Sequence, residues 1–138
     1  GHTLYVKDGH LCYTYNFLGE EEQTIVSDRT VPLGDHILGI RYERRGTRPD
    51  NFTPTGEAVL YIDEDPVGSL EDMRTQPIVF SGVGEGIRVG RDSGQSVSAS
   101  YRSPFPFTGG TMHQVIEDVS GKPYQDLEMA AAAAFSRD

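Results

Sequence analysis

Apolar and polar side chains alternate along most of this chain. A period of two residues is typical of β-strands that bury one face. Residues 10–17 show it clearly, with Leu11, Tyr13, Tyr15 and Phe17 on one face and His10, Cys12, Thr14 and Asn16 on the other. The pattern predicts strands at residues 3–7, 10–17, 24–28, 35–44, 57–62, 67–70, 77–81, 86–91 and 107–119.

Turn signals separate these segments. Asp8-Gly9 predicts a two-residue hairpin turn, because both residues tolerate positive φ. Acidic turns are expected at 19–22 and 63–66, and a loop at 45–55. The alanine-rich stretch 124–135 predicts a C-terminal helix. Many short strands indicate an all-β fold, an antiparallel two-sheet β-sandwich over residues 1–120 followed by a helical tail at 121–138.

Composition narrows the partners. The chain has 138 residues and a formal charge of −9, so a phosphate backbone or an anionic membrane surface is disfavoured. No apolar run is long enough to span a membrane, and the opening residues lack the pattern of a signal peptide; the expected compartment is the cytoplasm or stays open. Cys12 is the single cysteine and is expected to be a small core residue.

Few residues suggest catalysis, and no nucleophile–base pair or paired acids can be named. Asp92 lies at a predicted strand end before a polar loop, where Ser98, Ser100 and carbonyl oxygens could add ligands for calcium. The competing interpretation of Asp92 is an Asx-turn. His36 is expected to form a hydrogen bond with a neighbouring loop.

One basic cluster stands out in this acidic chain. Arg44, Arg45 and Arg48 lie close together near Tyr42, so they are candidate ligands for a sulfate or carboxylate group. The alternative is a solvated loop whose arginines pair with the acidic turns.

Several motifs occur in a characteristic order. They are T-L-Y-V-K-D-G-H-L, P-L-G-D-H-I-L, G-E-A-V-L-Y-I-D, R-T-Q-P-I-V-F-S, G-I-R-V-G-R-D-S-G and P-F-P-F-T-G-G-T. In this order, they resemble the C-terminal region of long bacterial arylsulfatases, over about residues 2 to 120. They are also similar to concanavalin-like and laminin-G-like sandwiches, which implies a jelly-roll arrangement of the two sheets.

The resemblance implies a non-catalytic accessory domain. Sulfatases form their catalytic formylglycine within C/S-x-P-x-R, and this chain has no such motif, so the catalytic domain is expected upstream and no catalytic residue is assigned here. The accessory domain would pack on the catalytic domain, gate its active site or mediate homo-oligomerisation. Candidate contact surfaces are exposed aromatic faces, at Tyr13, Tyr15 and Phe17 or at Phe105 and Phe107, with Tyr101 as a further ligand-binding candidate.

Two other functions remain open. The first is a laminin-G-like carbohydrate-binding module, possible with or without calcium; the seven tyrosines favour it and the absence of tryptophan weighs against it. The second is an independent enzyme, for which the sequence offers no catalytic group.

Overall fold

A computed structural model describes residues 1–49, 52–77 and 86–119 of the chain. Six strands form in this part: β1 (His2–Lys7), β2 (His10–Phe17), β3 (Glu21–Thr30), β4 (Leu38–Thr47), β5 (Pro54–Ile62) and β6 (Asp65–Arg74). They make two antiparallel three-stranded sheets, sheet 1 in the order β1-β2-β3 and sheet 2 in the order β4-β5-β6. The described residues contain no helix. The predicted all-β fold with two antiparallel sheets is therefore confirmed.

The β1–β2 hairpin forms as its turn residues require. Asp8 and Gly9 have φ values of 51° and 78°, and the strands pair from Lys7 opposite His10 to His2 opposite Tyr15. Positive φ at both central residues matches the turn twist to the twist of the strands. The predicted turn at Asp8-Gly9 is confirmed.

The main core lies between the two sheets. In β5, residues alternate strictly between buried and partly exposed, so one face packs inward and the other outward. Buried residues from both sheets form this core: Leu11, Tyr13, Ile25, Ala58, Leu60, Ile62, Val67 and Met73.

Side-chain hydrogen bonds also join the sheets where β3 lies beside β6. The Gln23 amide nitrogen donates to the Arg74 carbonyl at 2.8 Å, and its oxygen accepts from the Arg74 backbone amide at 2.7 Å. The Arg74 side chain contacts Glu21 and lies over the Phe17 ring, 4.4 Å from its centroid. The Gln23 side-chain amide thus pairs with the Arg74 backbone in the way that a neighbouring strand would.

The opposite face of sheet 1 is covered at β1 and β2, whereas the same face of β3 is exposed. Residues 92–105, which we name the covering segment, pack there with Tyr101 and Phe105 against Tyr5 and Cys12. Strand β2 is therefore covered on both faces, which explains the four consecutive buried residues 11–14. Cys12 is a buried free thiol, as expected, and burial raises the pKa of that thiol.

Several predicted boundaries are wrong. Glu21 and Glu22 belong to β3 and Asp65 to β6, so the acidic turns are shorter than expected. Strand β4 continues through Thr47 and β5 begins at Pro54, so residues 45–47 and 54–55 of the predicted loop lie in strands. Antiparallel pairing extends these strands into polar sequence, which periodicity alone does not detect.

Two predicted strands do not form. Residues 86–91 are irregular, and Gly86 and Gly90 take φ values of 74° and 83°, outside the extended range. Residues 107–119 join neither sheet, and their apolar side chains Met112, Val115, Ile116 and Val119 follow spacings of three, four and seven, not two. Of the strand predicted at 77–81, Pro77 lies outside β6; its other residues and the helix predicted at 124–135 lie outside the described residues.

Candidate functional site

Asp92 organises the covering segment through both its backbone and its side chain. Its carboxylate Oδ2 accepts from the Tyr101 hydroxyl at 2.5 Å and from the Val97 amide at 3.0 Å. Its backbone amide donates to the Pro104 carbonyl at 2.9 Å, and its carbonyl accepts from Ser103 Oγ at 2.6 Å. The structure thus brings together Asp92 and Tyr101, two of the residues chosen from the sequence, and the Asp92 carboxylate braces the loop through the Val97 amide five residues on, a longer span than the two residues of an Asx-turn.

Tyr101 anchors the covering segment on sheet 1. Its ring stacks on Phe105 with centroids 4.6 Å apart and meets the Tyr5 ring edge-on at 5.0 Å. Burial, and then its hydrogen bond to the Asp92 carboxylate, raise the pKa of Tyr101 to about 12. Its hydroxyl therefore stays protonated at neutral pH and keeps donating to Asp92.

A chain of hydroxyl groups lies under the covering segment. Thr24 and Thr14 oxygens are 2.8 Å apart, Thr14 and Tyr5 oxygens 3.2 Å, and Tyr5 and Ser100 oxygens 2.9 Å. The chain continues from Ser100 Oγ to Ser98 Oγ at 2.9 Å. Thr14 is 0% and Ser98 1% exposed, so these groups depend on one another for hydrogen bonds.

Glu22 lies at the end of this row of hydroxyl groups. Its carboxylate accepts from Ser98 Oγ at 3.0 Å and from the Ala99 amide at 2.7 Å. A carboxylate only accepts, so Glu22 ends the row of hydroxyls; the single Ser98 hydroxyl proton has two acceptors within reach, Glu22 Oε2 and Ser100 Oγ. Sequence reasoning placed Glu22 in a solvated acidic turn and missed this role. The available signal was its parity with Thr24 and Val26, which places it on the same face of β3.

The expected calcium ligands are already engaged with protein groups. Ser98 Oγ bonds Glu22, Ser100 Oγ bonds the Tyr5 hydroxyl, and Asp92 accepts from two donors. Within the described ranges, no three His, Cys, Asp or Glu side chains converge as a metal site would require. Calcium at Asp92 stays a prediction without an assembled ligand set.

The predicted aromatic face of β2 faces the core instead of solvent. Tyr13 and Phe17 are buried, and the half-buried Tyr15 hydroxyl accepts from the Gln76 amide at 2.9 Å. Burial raises the pKa of Tyr13 and of Tyr15. The expected exposure is wrong for this face because sheet 2 packs on it. Phe105 and Phe107 are half-buried and present no open platform.

The three arginines do not converge. Arg44 lies opposite Gly56 in the inward-facing row of β4 and donates to Thr47 Oγ1 at 2.7 Å. Arg45 pairs with Glu43 and Glu57 on the outer face, at 3.4 and 3.6 Å. Arg48 is exposed at the start of the loop between β4 and β5. The alternative of a solvated loop paired with the acidic turns also differs from the structure, because Arg44 and Arg45 lie in β4 and Arg45 pairs with glutamates of β4 and β5.

His36 and Asp63 join the loop before β4 to the β5–β6 turn. The His36 ring contacts the Asp63 carboxylate through Nδ1 at 2.8 Å and the Leu33 carbonyl through Nε2 at 2.9 Å. Both neighbours only accept, so the two hydrogen bonds form together only when the His36 ring carries a proton on each nitrogen. These two hydrogen bonds raise the pKa of His36, while the Ile37 amide and then His36 lower the pKa of Asp63. The predicted loop contact of His36 is confirmed.

An open groove runs where the outer faces of β3, β5 and β6 meet, with a volume of about 540 Å³. Its lining includes the hydroxyls of Thr24 and Ser69, the carboxylates of Asp28 and Glu57, and apolar Val26, Val59 and Pro66. None of its lining residues is aromatic. Such a surface offers hydrogen bonds to a polar ligand but no ring for stacking on a sugar.

The part of the chain that the structure describes contains no helix long and apolar enough to cross a membrane. Comparisons of the chain with protein-family models, with curated proteins and with solved structures return no match.

Proposed function

We propose that this chain is a non-catalytic accessory module of an arylsulfatase, with a concanavalin-like sandwich that packs on or gates the catalytic domain. The ordered motifs support this proposal, because two pairs of consecutive motifs are in contact. His36 of P-L-G-D-H-I-L bonds Asp63 of G-E-A-V-L-Y-I-D, and Asp92 of G-I-R-V-G-R-D-S-G bonds the backbone at Pro104. The motif string thus corresponds to a set of tertiary contacts.

The observation that carries the docking role is an exposed apolar segment after the covering segment. Met112, Val115, Ile116 and Val119 are 45–93% exposed, and residues 111–119 adopt no regular structure. Large apolar groups grouped in this way mark interaction sites. Their spacing places them on one face only if the segment becomes helical, and Thr111 with Gln114 supplies a capping box for such a helix. A helix this short is marginal alone and gains its stability from the partner that it contacts.

The partner expected here is a groove of the catalytic domain with apolar walls. The first test is to read the frame upstream of Gly1 and measure the mass of the native polypeptide. The proposal expects a much longer chain with a C/S-x-P-x-R motif. A native chain that begins near Gly1 would overturn it.

The second test uses the full-length enzyme and an aryl sulfate substrate. The double substitution Val115→Asp and Ile116→Asp is expected to lower activity or to release the module from the catalytic domain in limited proteolysis. Leu33→Asp is the control, because Leu33 is a still more exposed apolar residue on a different loop. Equal activity and equal proteolysis in all three proteins would contradict docking through this segment.

A carbohydrate-binding module is the second candidate, and one observation favours it. The groove beside β3 combines hydroxyl and carboxylate groups that can bond sugar hydroxyls. Binding to a glycan array that is lost in Glu57→Gln but kept in Glu64→Gln would support this candidate. If the native chain also begins near Gly1, such glycan binding would weaken the proposal of a sulfatase accessory module.

A further inference from the structure

Strand β4 has an open edge that carries a self-complementary charge pattern. In sheet 2 it pairs with β5 on one side, and no described residue pairs with its other side. Its middle residues, Arg41, Tyr42 and Glu43, are exposed, and a Cβ placed on Gly39 would meet no atom within 4 Å. An open strand edge presents backbone donors and acceptors that another strand can satisfy.

The charges on this strand are incompletely balanced within the chain. Glu43 lies directly opposite Glu57, and the two carboxylates share Arg45 as their cation. Arg41 faces Val59 and lies 5.8 Å from the Tyr61 ring centroid, a weak contact, and no described carboxylate is within ion-pair distance of it. Glu43, which lies beside a second carboxylate, and Arg41, which has none nearby among the described residues, are thus two residues apart on the same outer face of β4.

We propose that β4 pairs antiparallel with β4 of a second copy, in a register centred on Tyr42. In this register Arg41 lies opposite Glu43 of the other copy, and the two-fold axis repeats that pair. The second guanidinium would balance the two carboxylates that Arg45 bridges alone. A register centred on Arg41 or Glu43 instead places like charges opposite each other, which is unfavourable. A register centred on Arg44 places the two Arg44 side chains opposite each other and leaves Arg41 opposite Thr47, without a carboxylate.

A second copy is better accommodated along the open edge of β4 than along the edge of β1 in sheet 1. Strand β1 carries one cation, Lys7, which donates to the Ser100 carbonyl, and it has no acid with which a second β1 could pair. Pairing at β4 would join two copies of sheet 2 into a six-stranded sheet and form a closed, isologous dimer. This inference is independent of the sulfatase proposal, because it needs only the residues of this chain.

Charge reversal tests the register by sedimentation equilibrium. The unmodified chain is expected to dimerise, whereas Arg41→Glu and Glu43→Arg each place like charges opposite each other twice and weaken the dimer by roughly tenfold or more. An equimolar mixture of these two variants is expected to restore dimers, because each copy then supplies the charge that the other lacks. The double variant is expected to dimerise with itself.

Arg29→Glu is the matched control, since Arg29 is an exposed arginine on sheet 1 and is expected to leave the dimer intact. If circular dichroism shows that a charge reversal unfolds the chain, the milder Arg41→Gln and Glu43→Gln variants replace it in the test. A chain that stays monomeric, single reversals that dimerise like the unmodified chain, or a mixture that stays monomeric would each overturn the proposal. None of these outcomes bears on the upstream frame, so the sulfatase proposal is judged separately.

Discussion

Strand β2 of sheet 1 is buried on both faces, but different forces bury them. The inner face contributes apolar groups to the core with sheet 2, where Leu11, Ile25 and Leu60 meet. The outer face is covered by residues 92–105, which are held by hydrogen bonds to Glu22 and Asp92 and by a small aromatic cluster. Apolar burial tolerates small changes of direction, whereas hydrogen bonds need particular atoms at particular distances. The inner core should therefore determine global stability, and the outer cover should open locally.

The largest effect is expected in the inner core. Leu60→Ala removes a side chain that is 0% exposed, so the free energy of unfolding should fall by about 3 kcal/mol through lost burial and a residual cavity. Val59→Ala, on the opposite face of the same strand, should cost less than about 1 kcal/mol. Urea unfolding measures both. Equal losses would contradict the assignment of the faces of β5.

A smaller effect is expected for the carboxylate that holds the cover. Glu22→Ala removes the charged acceptor of the buried Ser98 hydroxyl and of the Ala99 amide, and the free energy of unfolding should fall by roughly 1–3 kcal/mol. Glu20→Ala, at an exposed neighbouring position, is the control and should change stability by less than about 0.5 kcal/mol. The account fails here if the two variants unfold at the same urea concentration.

Tyr101 makes the stability of the covering segment depend on pH. Its folded pKa of about 12 lies above the unfolded value of 10, so its contribution is complete below pH 10 and is lost as the pH rises towards 12. Tyr101→Phe should remove this alkaline loss and cost about 1 kcal/mol at neutral pH. Tyrosine absorbance and urea unfolding across this range report it. An unchanged alkaline profile in Tyr101→Phe would count against the Asp92 contact.

The smallest effect belongs to the solvent-facing contact between His36 and Asp63. The pKa of His36 is raised, so its stabilising contribution is present below the unfolded value near 6.5 and is lost as the pH rises through the folded pKa. Asp63→Asn should lower the pKa of His36, measured by NMR titration of the ring protons. Glu64→Gln, at the next residue of the turn, should leave it nearly unchanged. A His36 titration that Asp63→Asn does not move would show that the pair is absent in solution.

The inner core and the covering segment also differ in how far the sequence predicts them. Strict alternation along β2 and β5 predicted which residues share a face, because side-chain direction in a strand depends only on parity. The turn at Asp8-Gly9 followed from local backbone preference. The bond from Ser98 to Glu22 joins residues 76 positions apart and leaves no periodic trace in either segment.

The exposed segment failed as a strand prediction for a related reason. Apolar composition suggested burial, but the spacing of Val115, Ile116 and Val119 does not fit a strand, and neither described sheet includes these residues. Likewise, the parity of Tyr13 and Phe17 was correct, whereas the side on which sheet 2 packs was not encoded in that parity. Which of two alternating faces is buried depends on distant elements.

Hydrogen exchange of individual amides most directly tests the claim that the two faces are buried by different forces. In Glu22→Gln, the amides of Ala99 and Ser100 should exchange faster than in the unmodified chain, while the amides of Leu60 and Ile62 should keep their protection. Protection that falls together at all four amides, or at none of them, would contradict a cover that opens separately from the core.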